Sequence, residues 1–423
     1  MNEDREFAGP LPSLFVPVGG EATRLRPLTA DVSKAGVRFL NRPLLEIGVV
    51  SFARQGVRTF IFGVKGFINY RSLHDYFGEG LGISARYRIQ PRIHLRYSPN
   101  VNDVGSADSA RISMEYYESS GPMIVAQSDN IVDINVRDFL TVHYRKRGVM
   151  TIALTNVDDV EGLGIAELDS ESRISSFIEK PPREAVTSKL ANTGIYVIGQ
   201  ELREIFKEPE LVEMRNSGRL DFGKDLIPYL LRKGYPVYGY TLRGLWYDIG
   251  SPNAYLKAMK EMMVNGKKFL YLAGSLIEGR NIWVQGVSTE SLQRKEDIKK
   301  KIIGGRIKMG DPVLIGRHCR IGDGTTINSS SIDNFTIIGE NVEIESSAVL
   351  DRSIIENGAR ISDSIIGRHV VVKSSKTSPS KISKTSVIGD GCTLGEGCQI
   401  IGSQIYPHKR IYDGSRIINE IVK

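Results

Sequence analysis

The segment Gly19-Gly20-Glu21-Ala22-Thr23-Arg24-Leu25 directly follows the apolar run Leu14-Phe15-Val16-Pro17-Val18. Glycines at a strand end let backbone N–H groups approach a ligand closely, and an arginine a few positions on can grip a phosphate through two parallel hydrogen bonds. The chemistry that suits this arrangement is phosphate handling. Its spacing is neither GxGxxG nor GxxxxGK[ST], so neither the dinucleotide fingerprint nor the P-loop accounts for it. Two aspartates more than a hundred positions apart extend the set: Asp129 in Ser128-Asp129-Asn130, and Asp248 in Trp246-Tyr247-Asp248-Ile249-Gly250-Ser251-Pro252. At the carboxyl ends of strands facing one crevice, they would supply oxygen ligands of the kind Mg2+ takes. Each residue also has a plainer reading when taken singly. Asp129 could cap a helix, Asp248 could form a turn, and Glu179-Lys180 could be a solvated ion pair contributing less than ~1 kcal/mol.

The elements that must hold these residues are legible in the first half of the chain. Leu44 to Gln55 repeats apolar residues at helical spacing, and Thr59-Phe60-Ile61-Phe62-Gly63-Val64 is strand-like, which with Leu14–Val18 makes a βαβ opening. Met123-Ile124-Val125-Ala126-Gln127 runs into Asp129, and Met150-Thr151-Ile152-Ala153-Leu154 reads as a further central strand. The expected fold is α/β: a Rossmann-like, mostly parallel sheet with ligands at the carboxyl ends of its strands.

From about Ile315 the period changes. Ile315, Ile321 and Ile327 lie six apart, as do Ile332, Ile338, Ile344 and Leu350, then Ile382, Ile388, Leu394 and Ile400, and Ile405, Ile411 and Ile417. Each hexad can give one short strand and one turn, and three hexads close a triangular coil with aliphatics stacked inside. This predicts a left-handed parallel β-helix of hexapeptide repeats. Lys373 to Lys381 interrupts the hexads and reads as a loop off one coil, expected to be a disordered excursion. Glu261 to Lys308 carries mixed charge without periodicity. The expected organisation is therefore a first domain over 1–262, a linker over 263–308 and the β-helix over 309–423.

Composition narrows the rest. The formal charge of +7 suits phosphorylated ligands, but Lys299-Lys300-Lys301 is the longest basic run and no basic stripe alternates with aromatics, so nucleic acid is not expected. Cys319, Cys392 and Cys398 have no CxxC spacing and no histidines at metal-ligand intervals. The first ten residues are polar and acidic, and no run approaches the ~18 apolar residues of a membrane span, so a cytoplasmic setting without membrane attachment is expected.

Taken in order, the motifs resemble the sugar-phosphate nucleotidylyltransferase family. The glycine segment is similar to that family's GGxGTRLxPLT, Lys34 falls at the lysine of its PKP motif, and Arg42-Pro43-Leu44 matches the following KPL. Gly105-Ser106-Ala107-Asp108-Ser109-Ala110 resembles GTADA, Ser128-Asp129-Asn130 resembles GDN, and Gly164-Ile165-Ala166-Glu167 resembles YGVxE. Phe177-Ile178-Glu179-Lys180-Pro181 matches FxEKP, Asn192-Thr193-Gly194-Ile195-Tyr196 matches the strand behind the sugar, and Trp246–Pro252 matches WxDIGTP. The resemblance covers Leu14 to Ala258. It implies nucleotide binding at Gly19, Gly20, Thr23, Arg24, Gly105, Ser106 and Ala107, and sugar-phosphate binding at Gly164, Glu179, Lys180 and Asn192. It also implies Mg2+ on Asp129 and Asp248, with Arg24, Lys34 and Lys180 acting on phosphates during transfer.

The implied reaction joins a nucleoside triphosphate and a sugar 1-phosphate by in-line displacement, releasing pyrophosphate. Tyr406-Pro407-His408-Lys409 resembles the segment closing the β-helix of mannose-1-phosphate guanylyltransferases, whereas the first half resembles glucose-1-phosphate enzymes equally, so base and hexose stay open. Three residues depart from the motifs: Ala22 and Ser128 replace glycines and Ala35 replaces a proline. They could retune nucleotide choice or mark a regulatory subunit that binds without turnover. β-Helices also occur in acyltransferases with a histidine base, for which His318, His369 and His408 are the candidates, but a homo-oligomerisation platform is the expected role.

Overall fold

The run Leu14–Val18 becomes a central strand, β1, because four of its five residues are apolar and buried, as a strand covered on both faces requires. The computed structural model describes residues 7–20, 22–100, 102–117, 121–265, 274–277 and 280–423. Glu21 of the glycine segment, and 266–273 and 278–279 of the expected linker, lie outside the described residues. By its internal contacts the chain divides into two compact units, Met1–Gly20 with Leu45–Asp248 and Glu21–Leu44 with Ile249–Lys423.

The first unit is built on one nine-stranded sheet. Its elements after β1 are α1 (Leu44–Arg54), β2 (Thr59–Val64), β3 (His94–Pro99), α2 (Ser106–Tyr116) and β4 (Met123–Ala126). A short strand β5 (Asn130–Val132) precedes α3 (Val136–Lys146), β6 (Met150–Asn156), β7 (Gly164–Leu168) and β8 (Ile174–Glu179). The long strand β9 (Leu190–Ile198), β10 (Val237–Thr241) and β11 (Trp246–Asp248) complete the unit. The sheet order is β8-β7-β9-β4-β1-β2-β3, with β6 joining β9 and β10. Pairing is parallel from β3 through β2 and β1 to β4, and again between β6 and β10. Strand β9 runs antiparallel to β4, β6 and β7.

The chain leaves β1 toward β2 and β3 on one side and returns to β4 on the other. That reversal is the switch point outside which α/β sheets bind ligands. Leu14 and Phe15 pair in register with Ile124 and Val125, so Gly19-Gly20 and Ser128-Asp129 both follow the carboxyl ends of neighbouring parallel strands.

In the second unit, strands from Arg280 onward wind into a parallel β-helix whose three sheets hold eight, seven and six strands among the described residues, the first sheet being extended at its start by the antiparallel Ser275–Ile277. Its interior is one continuous stack of aliphatics that includes Ile315, Ile332, Ile355, Ile366, Ile388 and Ile405. The coil advances 17 residues, as the Ser347 amide on Ser330 Oγ and the Ser364 amide on Ser347 Oγ show, where three full hexads would give 18. The missing residue is lost at a tight corner whose residues, Ser329, Ser346 and Asp363, all adopt left-handed backbone. Val349 therefore pairs with Ile332 and fills the interior, one place before the Leu350 that a strict period of six selects. Lys373 to Lys381 lengthens one coil, so that Arg368 N reaches Asp390 across 22 residues. Hydrogen bonds hold this loop, from Ser378 N to Ser375 Oγ at 3.1 Å and from Ser380 Oγ to Lys373 O at 2.7 Å. Within the stretch read as linker, Arg280–Val284 pairs in parallel with Val313–Ile315 and Thr289–Ile303 is helical. Among the described residues, no helix is long and apolar enough to cross a membrane.

Helix α3 packs through Phe139, Leu140 and His143, and its buried imidazole meets Thr151 Oγ1 of β6 at 2.9 Å. Burial pushes the His143 pKa down from 6.5 to about 4. The folded chain thus holds a neutral ring that the unfolded chain protonates below its ordinary value. The resulting stability is complete above that ordinary value and is lost as pH falls through the depressed one, by up to about 3 kcal/mol. Urea titrations at pH 7 and pH 4.5 should show this loss in the wild type, and His143→Gln should flatten it; an equal slope in the variant refutes the assignment.

Candidate active site

Antiparallel pairing brings the two expected metal carboxylates together. Asp248 ends β11 directly opposite Asn130, the first residue of β5, and Asp129 immediately precedes it. This register sets Asp248 across from the residue that follows Asp129, at the end of the main sheet where Gly19-Gly20 also emerges. Asn130 Nδ2 donates to Thr193 O at 2.7 Å, and Trp246 Nε1 donates to the same oxygen at 3.2 Å, tying β5 and β11 to β9. Asn130 Oδ1 is buried with no hydrogen-bond donor among the described residues, a free acceptor beside this pair. No group of three or more metal-type side chains exists among the described residues. Two carboxylates are nonetheless the usual protein share of a Mg2+ site whose remaining ligands are water and substrate phosphates.

The second cluster centres on Glu179 at the end of β8. A Cβ on Gly164 would stand 2.6 Å from its Oε2, and one on Gly223 would stand 2.4 Å from the same atom. At Gly223 the carboxylate alone occupies that space, whereas at Gly164 the Phe177 ring, 2.6 Å away, shares it. Burial raises the Glu179 pKa, opposed by the charges of Lys180 and Lys224 and reinforced by Asp221. Lys180 is exposed and takes left-handed backbone, with φ 50°, and its amide donates to Leu163 O at 3.0 Å. Asn192 is placed by a register shift in β9 between Asn192 and Tyr196. Its Nδ2 donates to the Tyr196 hydroxyl at 2.9 Å and its Oδ1 accepts from Gly194 N at 2.9 Å. Burial raises the Tyr196 phenol, and the charges of Glu179, Asp221 and Asp129 push it further.

Gly105, Ser106 and Ala107 open α2, but their polar groups are engaged within the unit. Ser106 N and Oγ both reach Asp221 Oδ1 at 3.1 Å, and Ala107 N donates to Leu220 O at 3.0 Å. A Cβ on Gly105 would collide with that carbonyl at 2.5 Å, which explains the glycine. Gly19 is explained likewise by Lys65, whose Cβ would lie 2.8 Å away, and the Lys65 ammonium donates to Asp103 O at 2.7 Å.

Residues 16–264 match the model of the nucleotidyl transferase family, and residues 309–422 match that of the GMPPB C-terminal domain. The chain belongs to the nucleotidyl transferase family. It is 27% identical to a UTP–glucose-1-phosphate uridylyltransferase of Synechocystis, covering 84% of this chain and 87% of that one. It is also 27% identical to a mannose-1-phosphate guanyltransferase of Pichia angusta, over 94% and 96% of the two chains. A crystal structure from Bacillus anthracis, provisionally named a glucose-1-phosphate thymidylyltransferase, shares the fold at a TM-score of 0.50 and 20% identity, over 59% of this chain and 94% of that one.

In this nucleotidyl transferase, Thr23, Arg24 and Lys34 belong to the unit that holds the β-helix. Thr23 and Arg24 are exposed, while Lys34 is half-buried at the start of a turn that Ser33 Oγ caps by accepting from Gly36 N at 3.2 Å. Ala22, where the motif has glycine, adopts left-handed backbone with φ 45° and ψ 43°. Its carbonyl accepts from Thr29 Oγ1 at 2.9 Å and from Leu25 N at 3.1 Å, and these bonds keep the turn despite the methyl group. Asp221, Gly223 and Lys224 escaped sequence reasoning, because Asp221-Phe222-Gly223-Lys224 has no period and the cause of its glycine is a distant carboxylate.

Gly223→Ala should displace the flexible Glu179 carboxylate and not the backbone. Affinity for the ligand that Glu179 holds is expected to fall with a change in unfolding free energy under about 1 kcal/mol; a large stability loss with unchanged ligand affinity would count against this geometry. Ala22→Gly removes the left-handed strain and should raise stability by about 0.5–1 kcal/mol, read from denaturant midpoints.

Proposed function

We propose that this nucleotidyl transferase joins a nucleoside triphosphate to a hexose 1-phosphate, glucose or mannose, giving a nucleoside diphosphate sugar and pyrophosphate. The observation that carries the reading is the register of β11 on β5, which sets Asp248 beside Asp129 at the switch point after β1 and β4. Asp129 and Asp248 are the residues to hold Mg2+. That ion, when bound, offsets negative charge on the α-phosphate during displacement. Gly19 and Gly20 let the backbone approach the nucleotide, and Gly105, Ser106 and Ala107 border its base, roles that rest on the motif resemblance. Arg24 and Lys34 neutralise the departing pyrophosphate.

The sugar 1-phosphate is held by Glu179 and Asn192 on its hydroxyls, with Gly164 giving room and Lys180 on its phosphate. One phosphate oxygen attacks the α-phosphorus as the bond to the β-phosphate oxygen breaks. No histidine base is required, because this phosphate is already deprotonated at neutral pH.

The β-helix acts in self-association. Its histidines support that role over acyl transfer: His318, His369 and His408 share one corner column of left-handed residues with Phe335 and Arg352. The His318 ring stacks on Phe335 at 4.8 Å, and His408 Nε2 meets Asp31 Oδ2 at 3.1 Å. Three buried free thiols fit a reducing, cytoplasmic setting.

Pyrophosphate release measured over a grid of triphosphates and hexose 1-phosphates should identify one preferred pair. Asp129→Asn should abolish that release with thermal unfolding unchanged, and substantial retained turnover would refute the metal assignment. Silence of the wild type across the whole grid, with triphosphate binding intact, would make the chain a regulatory subunit.

A further inference from the structure

The segment that carries Arg24 and Lys34 is clasped to the β-helix by a buried polar network. Arg38, four positions beyond Lys34, directs its guanidinium at two β-helix carboxylates. Nη2 donates to Asp333 Oδ1 at 2.8 Å, Nε bonds the other Asp333 oxygen, and Nε lies 3.3 Å from Asp351 Oδ1. The side chains of Asp333 and Asp351 are 1% and 6% exposed. Nη2 also donates to Asn41 O at 2.7 Å. Asn41 is itself buried on the coil, donating to Ile332 O at 3.2 Å and accepting from Ser331 Oγ at 3.0 Å.

A buried ion pair is a poor source of stability, because desolvation offsets most of its Coulomb attraction. What a forked guanidinium on a fixed carboxylate does supply is orientation. Apolar side chains would hold this segment against the coil equally firmly, but they would allow it to slide. The fork does not, since a shift along the β-helix axis breaks both hydrogen bonds and strands buried charge. The link to Lys34 is short and tied: Val37 N donates to Lys34 O at 3.2 Å and Leu44 N to Val37 O at 2.8 Å; Arg24 lies earlier on the same segment.

We infer that Arg38 is a positioning residue: by clasping Asp333 and Asp351 it fixes the presentation of residues 22–37, so that the β-helix sets the affinity for the nucleoside triphosphate. This rests on the proposed function in one respect, the role of Arg24 and Lys34 on triphosphate. It assigns no contact with substrate to Arg38.

The test uses the full chain with Arg38→Gln, Asp333→Asn and the double variant. Initial rates of pyrophosphate release are measured against each substrate, together with hydrogen exchange of residues 22–37. In each single variant the KM for triphosphate should rise roughly ten-fold or more, with the KM for sugar 1-phosphate within about two-fold of wild type. The double variant should be no worse than the singles, because both remove one clasp. Exchange over residues 22–37 should accelerate in all three. Arg38→Lys, which keeps the charge without the fork, should restore only part of the affinity.

The inference is overturned by a folded variant with unchanged triphosphate KM, by equal rises in both KM values, or by unaltered exchange. Failure of Arg38→Gln and Asp333→Asn alike to fold, seen by circular dichroism, would overturn it too, since the pair would then serve stability. A wild type without turnover would refute the proposed function, and the exchange measurement would still decide the clasp.

Discussion

The half-buried Glu179 carboxyl is the constraint around which its neighbours are arranged: burial and Asp221 raise its pKa, and Lys180 and Lys224 lower it. Glu179, Asp221 and Asp129 all act on the Tyr196 phenol, and Asp248 joins Asp129 through strand register. Like charges on one side of a site repel one another and any incoming phosphate. Positive charge must therefore be interleaved. Lys180 and Lys224 lie close enough to pull the Glu179 carboxyl down against the effect of its burial, and the pair Asp129 and Asp248 has the composition of a site completed by a divalent cation.

Backbone economy serves the same end. Gly164 and Gly223 leave the Glu179 carboxylate its space, Gly105 leaves Leu220 O its space, and Gly194, with φ 74°, avoids a Cβ 2.7 Å from Gln127 Cγ. Each glycine marks where two chain segments converge. The β-helix follows different logic. Its ladder of one residue above another repeats every 17 residues, and a column of left-handed corners makes each turn alike. A stack of identical coils is stiff, and stiffness suits the clasp that Arg38 makes with Asp333 and Asp351 on consecutive coils.

Much of this is legible in the sequence for physical reasons that are local. Leu14–Val18, Thr59–Val64 and Met123–Ala126 are strands because buried parallel strands read as apolar runs. The β-helix is legible because its aliphatics recur faithfully, and the period is misjudged by one residue per coil because the short side ends in corners of ordinary Ser and Asp that carry no glycine signal. Asp129 and Asp248 stand out through the motifs around them, yet their adjacency depends on a pairing of two three-residue strands that no local pattern announces. Asp221, Gly223 and Lys224 are silent because their meaning is supplied by Glu179, far along the chain. Arg38 and Asn41 are silent for the same reason: their partners are buried side chains and a carbonyl of the β-helix.

The departures from the family motif bear on the main chain more than on charge. Ala22 keeps the left-handed turn that a glycine would adopt freely, and Thr29 Oγ1 and Leu25 N anchor its carbonyl. Ala35 is fully buried in a turn whose cap comes from Ser33, so the turn does not depend on a proline ring. Ser128 precedes Asp129 without altering the strand that ends at Ala126 or the one that begins at Asn130. None of the three removes a carboxylate, an ammonium or a guanidinium. What the three positions share is a small residue at or beside a turn of the main chain, and the turns at Ala22 and Ala35 are closed by hydrogen bonds that need no glycine or proline, from Thr29 Oγ1 and Leu25 N to Ala22 O and from Gly36 N to Ser33 Oγ.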